Sequence, residues 1–203
     1  TDPVAETFTI IIHKGAKLTE LIDSLSQGRE VPNLLGPLGQ AFEIRNYGTV
    51  MCIGDGVGFV PLIPVIRELK KAGNRVITVV SEFSEHNDCL RSMAEKYSDE
   101  ILSSSSREEA VERLSTVADR EKVDLTVMTG PTDMMKMLAA AAADRKIPAR
   151  CILNMIMLDG VGLCGICRVM VDGKRKLTCI DGPTFDAHLV DFDQLLNRQR
   201  NYV

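Results

Sequence analysis

A chain of 203 residues that is 45% hydrophobic and 26% charged carries enough apolar side chain to bury a sizeable core in one or two domains. Its formal net charge of -4 and pI near 5.5, with no dense basic cluster, exclude the electrostatic footprint of a nucleic-acid binder. No stretch approaches the roughly 20 apolar residues of a membrane span, and six cysteines are too few for a disulfide-stapled secreted scaffold, so a soluble protein of the reducing cytoplasm is expected.

The amino terminus, TDPVAETFTI, has neither an initiating Met nor a charged-then-apolar signal pattern, and is expected to be the start of a fragment. Thr7 to His13 is rich in β-branched residues and predicts a strand, followed by a turn at Gly15 and Ala16 and a polar stretch ending in Gly36-Pro37-Leu38-Gly39. Residues 1–47 are thereby expected to be the tail of a small β domain.

From Thr49 the pattern changes. Short apolar runs (TVMCI, RVITVVS, EILSS, DLTVMT) alternate with amphipathic segments at PLIPVIRELKKAG, Asp88 to Lys96, Arg107 to Glu121 and Thr132 to Arg145. Strands alternating with helices of this length predict an α/β domain over 48–155, built on a doubly wound parallel sheet.

Two turns of this domain fall at strand carboxyl ends, where open α/β sheets bind their ligands. The first is Gly54-Asp55-Gly56-Val57-Gly58-Phe59-Val60-Pro61, expected to open directly into a helix whose unpaired N–H groups suit a pyrophosphate. It lacks the third glycine of G-x-G-x-x-G, and a tight turn with no ligand is its competing reading. The second is Thr129-Gly130-Pro131 after DLTVM. Beyond the second strand, Glu82 in Ser81-Glu82-Phe83 has no nearby arginine and leans toward a ribose 2′-hydroxyl, hence NAD(H) over NADP(H), with a solvated loop charge as its competing reading.

RCILNMIM predicts one more strand, leading into a lobe at 156–203. There Asp159, Cys164, Cys167 and Cys179 reproduce the C-x4-C-x2-C…C spacing of plant-type 2Fe-2S loops, with Asp in place of the first Cys. Gly160, Gly162 and Gly165 permit the tight path such a loop needs. ICRVMVDGKRKLTC predicts a hairpin turning at Asp172-Gly173, which returns Cys179 to Cys164 and Cys167. Zinc also accepts three thiolates and a carboxylate, and three unrelated thiols are the remaining reading.

Together these motifs resemble the electron-transfer subunits of NADH-dependent ferredoxin:NADP oxidoreductase (sulfide dehydrogenase) and of dihydroorotate dehydrogenase, most specifically through DGVGLCGICRV and CIDGPTFDAHLVDFDQL. The resemblance implies a ferredoxin-reductase-like fold: an FAD-binding β-barrel, an α/β domain with a GxGxxP turn matched by Gly54, Gly56 and Pro61, and a 2Fe-2S lobe. It places Thr129, Gly130 and Pro131 near the nicotinamide, where relatives often carry Cys-Gly-Pro. Asp159 in the first ligand position looks like the ferredoxin:NADP branch, whereas dihydroorotate-linked relatives generally use four cysteines. The Arg-x-x-Ser/Thr-like segment that grips FAD would precede Thr1, leaving an incomplete flavin site in which Gly15 and Ala16 stand where a Gly-Thr pair approaches the pyrophosphate. The partners so implied are a larger catalytic subunit, a nicotinamide nucleotide and ferredoxin.

The other candidates read as structural. Cys52, Cys89 and Cys151 fall on strand or helix positions as small hydrophobes, Met134, Met135 and Met137 have helical core spacing, and His13, His86 and His188 are scattered.

Overall fold

The computed structural model describes residues 30, 35–81 and 87–200; the expected strand at Thr7 to His13, Gly15, Ala16, Glu82 and His86 lie outside the described residues. The chain divides into two compact units, Thr1–Pro37 and Leu38–Val203, and the second contains every element that follows.

Strand β1 (Thr49–Gly54) is followed by a single 3-10 turn (Gly56–Phe59), then α1 (Leu62–Lys71), β2 (Arg75–Ser81), α2 (Asn87–Glu95), β3 (Glu100–Ser104) and α3 (Arg107–Arg120). After these come β4 (Leu125–Thr129), α4 (Thr132–Asp144), β5 (Ala149–Ile152), β6 (Arg168–Val171), β7 (Lys174–Leu177), α5 (Thr178–Asp181), β8 (Thr184–Asp186) and α6 (Phe192–Gln199). Six strands form one sheet in the order β3-β2-β1-β4-β5-β8, parallel throughout except for β8, which runs antiparallel to β5. Strands β6 and β7 pair separately as a hairpin.

The central strands are apolar at consecutive positions because helices cover both faces of the sheet. Met51 and Ile53 of β1 point into the core made with Leu114 of α3 and Leu138 of α4, while Val50 and Cys52 meet Leu62, Ile66 and Leu69 of α1 on the other side. Met134 and Met135 belong to the first core. The expected parallel α/β domain is therefore present, with two differences at its ends. A 3-10 turn intervenes before the helix that was expected to open directly from the glycine turn. β5 stops at Ile152, where Leu153 turns its N–H to the Pro183 carbonyl (2.9 Å) instead of prolonging the strand.

At the amino edge of the sheet, polar side chains bond the backbone that lies outside the ladders. Asn74, 2% exposed, accepts from the N–H groups of Tyr47 (2.6 Å) and Gly48 (3.2 Å) and donates to the carbonyls of Arg45 and Leu69 (both 2.8 Å). Its amide thus spends its two protons and both acceptor sites on fixing the approach to β1. Beside it, Asp124 accepts the N–H of Thr49, the first residue of β1, at 3.0 Å.

The Lys122 ammonium at 2.5 Å, and then the Thr49 N–H, hold the Asp124 carboxyl below the usual carboxylate range. A depressed folded-state pKa contributes stability above the unfolded value, about 3.9, that is lost as pH falls through the lower folded value. Denaturant midpoints measured against pH should fall in that acid window, and Asp124→Asn should flatten the fall while lowering the midpoint at neutral pH. An acid limb as steep in the variant as in the parent would remove Asp124 from this role.

Candidate functional site

The chain runs outward from β1 through β2 to β3, then crosses back on α3 to lay β4 against the other side of β1. The order in which strands are added therefore reverses between the parallel neighbours β1 and β4, the place where ligands enter such sheets. The last residues of these two strands, Gly54 and Thr129, are register partners, so the two expected turns emerge side by side.

They also touch. A Cβ on Gly58 would lie 2.7 Å from Gly130 Cα, and a Cβ on Gly130, whose φ is +133°, would lie 3.3 Å from the Asp55 backbone nitrogen. These glycines serve contact of one turn with the other, a reason the sequence pattern did not reveal. Gly56, at φ +53°, carries the left-handed step of the turn. Around it Asp55 is extended and half-buried, Val57 is exposed, and Pro61 leads into α1, whose first turn contains no acidic residue to oppose an anion.

Thr129 is fully buried and its Oγ1 has no hydrogen-bond partner. Pro131 directly precedes α4, so the Thr129-Gly130-Pro131 turn leads straight into a helix amino end.

The second site lies in the lobe that follows β5. Gly160, Gly162 and Gly165 adopt φ of +70°, +85° and +66°, and a Cβ on Gly162 would meet Ile180 of α5 at 2.9 Å. The Asp159 carboxylate accepts the N–H of Val161 at 3.0 Å with one oxygen and that of Cys164 with the other. The Val161 N–H heads the interactions that hold this carboxyl below its ordinary range.

Asp172 and Gly173, both left-handed at φ +52° and +66°, close the β6–β7 hairpin as a two-residue turn. Arg168 pairs with Leu177 across it, and the Cys167 carbonyl accepts both the N–H (3.1 Å) and the Oγ1–H (3.0 Å) of Thr178. The result is that Cys179, in the first turn of α5, brings its Sγ within 3.3 Å of Cys167 Sγ, both side chains being buried. Burial, and then the bond with Cys167, push the Cys179 thiol up.

The structure thus joins Cys167 to Cys179 and Asp159 to Cys164, the latter exposed on its loop. It does not gather all four, and no group of three or more candidate ligands converges among the described residues. Cys52 and Cys151 lie elsewhere in the sheet, each raised to about 12 by burial. His188 is spent locally: its Nε2 lies 2.9 Å from the Ile147 carbonyl oxygen and its N–H donates to Asp186. Thr178 was missed by sequence reading, because a threonine next to a ligand carries no pattern of its own.

Residues 154–191 match the iron-sulfur cluster binding domain of dihydroorotate dehydrogenase B. The dihydroorotate dehydrogenase B (NAD(+)) electron transfer subunit homolog of Thermotoga maritima is 34% identical over 207 residues, spanning 100% of this chain and 73% of that protein. The chain belongs to this family of electron-transfer subunits. A probable subunit of the same name from Methanopyrus kandleri is 30% identical, over 88% of this chain and 68% of its own length. The solved structure of an NADH-dependent reduced ferredoxin-NADP oxidoreductase, a protein of flavin-based electron bifurcation, superimposes with a TM-score of 0.81 at 34% identity, over 95% of this chain and 71% of that one. The fold is therefore ferredoxin-reductase-like, as the sequence resemblance implied, and the role of this family member is iron-sulfur electron transfer in an oxidoreductase. No helix among the described residues is long and apolar enough to cross a membrane.

The buried Thr129 hydroxyl is an unmade hydrogen bond, a cost on the order of 1–3 kcal/mol. Thr129→Val should accordingly raise the unfolding free energy by about 1 kcal/mol, whereas Gly58→Ala should lower it by about 1–3 kcal/mol because the two turns must separate. Denaturant titration of both variants checks the pair of opposite signs.

Proposed function

We propose that this subunit passes electrons between a nicotinamide nucleotide, FAD and a 2Fe-2S centre, and through the centre to a larger catalytic subunit. The observation that carries this reading is the pair of buried thiols of Cys167 and Cys179 at 3.3 Å, at the mouth of a glycine loop that bears Cys164 and Asp159. Soft thiolates on a loop with free backbone freedom suit an iron-sulfur centre. Cys164, Cys167, Cys179 and Asp159 would hold it, with the carboxylate as a harder ligand that favours the ferredoxin:NADP branch over the dihydroorotate branch. When bound, the nucleotide and flavin supply hydride exchange and the centre supplies one-electron exchange.

The chain's own residues bind and orient. Gly54, Asp55, Gly56, Val57, Gly58 and Pro61 form the β1 turn, where the pyrophosphate would rest against the amino end of α1. Thr129, whose hydroxyl is buried and unpaired, would stand toward the nicotinamide end, next to the Gly130 that lies against Asp55. Glu82 supports NAD(H) over NADP(H), and Gly15 and Ala16 would approach FAD; all three lie outside the described residues. The free buried thiols suit work in a reducing cytoplasm.

Ile156, Met157, Leu158, Val161, Leu163 and Ile180 are exposed around the cluster loop, Leu163 by 87%. An apolar rim beside an electron exit suits a tightly packed larger subunit, with ferredoxin among the acceptors served through it.

Anaerobically purified protein should contain about two irons and two acid-labile sulfides per chain, with a visible spectrum that bleaches on dithionite. Cys167→Ser should lose most of that iron, while Cys151→Ser should keep it. Zinc near one per chain without sulfide would turn the lobe into a structural metal site and end the redox reading. Leu163→Asp should keep the iron and lose the larger subunit on co-purification; retained association would move the interface elsewhere.

A further inference from the structure

Arg198, on the last helix, lies 31 positions beyond Cys167 in the sequence, yet its guanidinium reaches both sides of that cysteine. Nη2 donates to the Ile166 carbonyl at 2.9 Å and Nη1 to the Arg168 carbonyl. The Cys167 carbonyl between them is taken by Thr178, and the Gly165 carbonyl accepts from Arg168 Nη1 at 3.1 Å. Four successive carbonyls, from 165 to 168, are therefore all engaged, two of them by one side chain.

The reach of Arg198 is set by the core. Phe192 and Leu195 bury α6 against the first hydrophobic core, the Asp191 carboxylate caps its start by accepting the Gln194 N–H at 2.9 Å, and Lys136 of α4 bonds Asp193 at 2.5 Å. Upstream, the Asp191 N–H donates to the Met170 carbonyl (2.9 Å) and Val171 bridges Val190, so the approach to α6 is laced to β6 itself. A planar fork with fixed donors, carried on an anchored helix, holds two carbonyls at a set spacing as a lysine cannot.

Charge adds a second effect. Arg198 takes part in no ion pair among the described residues, so its cation is directed at backbone dipoles beside the cysteine rather than at a carboxylate. A permanent positive charge near an iron-sulfur centre favours the reduced, more negative state and raises the midpoint potential.

We infer that Arg198 is a positioning residue of the cluster lobe, fixing the segment that presents Cys167 and holding the potential of the centre up. This rests on the reading of Cys167 as a ligand. The test uses the full chain purified anaerobically with its partner subunit, as Arg198→Gln and Arg198→Lys. Iron and sulfide content, the electron paramagnetic resonance spectrum of the reduced centre, its midpoint potential and amide exchange at residues 166–168 are measured for each. Arg198→Gln should lower the midpoint potential and speed exchange at 166–168 several-fold. Arg198→Lys, keeping charge without the fork, should show the faster exchange with a smaller fall in potential. Loss of iron from the Gln variant with retention in the Lys variant would support the same assignment. Full iron with parental potential and parental exchange in the Gln variant would overturn it. Iron and sulfide missing from the unmutated protein would instead overturn the cluster reading, which that measurement separates from any effect of position 198.

Discussion

The contact of Gly58 with Gly130 is the constraint on which the paired turns at the carboxyl edge of the sheet depend. Parallel strands buried on both faces place all their carboxyl ends on one edge, and the crossover on α3 makes β1 and β4 neighbours there. Register alone would leave the two turns diverging. A side chain at either glycine would drive a wedge between them. The backbone-to-backbone approach joins two ordinary strand ends into one surface.

The cluster lobe is rooted in the same edge by a different device. The loop bearing Asp159 and Cys164 departs just beyond the carboxyl end of β5, and β8 returns antiparallel with Thr184 opposite Ile152. Strand direction decides this geometry: an antiparallel return begins where its partner ends, so α5, immediately before β8, sits at the binding edge with Cys179 on it. Gln40 adds a further tie, its N–H donating to the Gly182 carbonyl at 2.6 Å and its Nε2–H to the Ile180 carbonyl at 3.0 Å. Both sites thus grow from the edge of one sheet, within one compact unit.

What the sequence disclosed follows from how local each signal is. The runs TVMCI, RVITVVS and DLTVMT are apolar at successive positions because both faces are covered, and the helices between them repeat their buried residues each turn, so β1 to β5 and α1 to α4 were legible. Asp172-Gly173 announced its own hairpin, since few residue pairs adopt two left-handed conformations in a row. Strand β8 is three residues long and α6 eight, too short for periodicity to rise above its surroundings. The reason for Gly58 was hidden for another cause: its partner, Gly130, is 72 positions away, and a close approach between distant glycines leaves no local pattern. Arg198 was hidden likewise, because its targets are carbonyls, which every residue possesses.

The cluster lobe and the strand ends of the sheet differ in how they hold polar groups. In the cluster lobe the four carbonyls from Gly165 to Arg168 all accept hydrogen bonds, the Asp159 carboxylate is engaged by amides, and the loop is shaped by left-handed glycines. A centre whose potential depends on donor distances and local charge gains from such a fixed frame. At the sheet edge Thr129 keeps an unmade bond in a fully buried position. Ser81, Ser104 and Thr126 carry buried hydroxyls in the same state, so the unmade bond recurs along the strands of the sheet. Hydrogen bonds are thus concentrated where a loop must be shaped, while these buried hydroxyls of the sheet are held by packing alone, a difference that neither spacing nor fold contains.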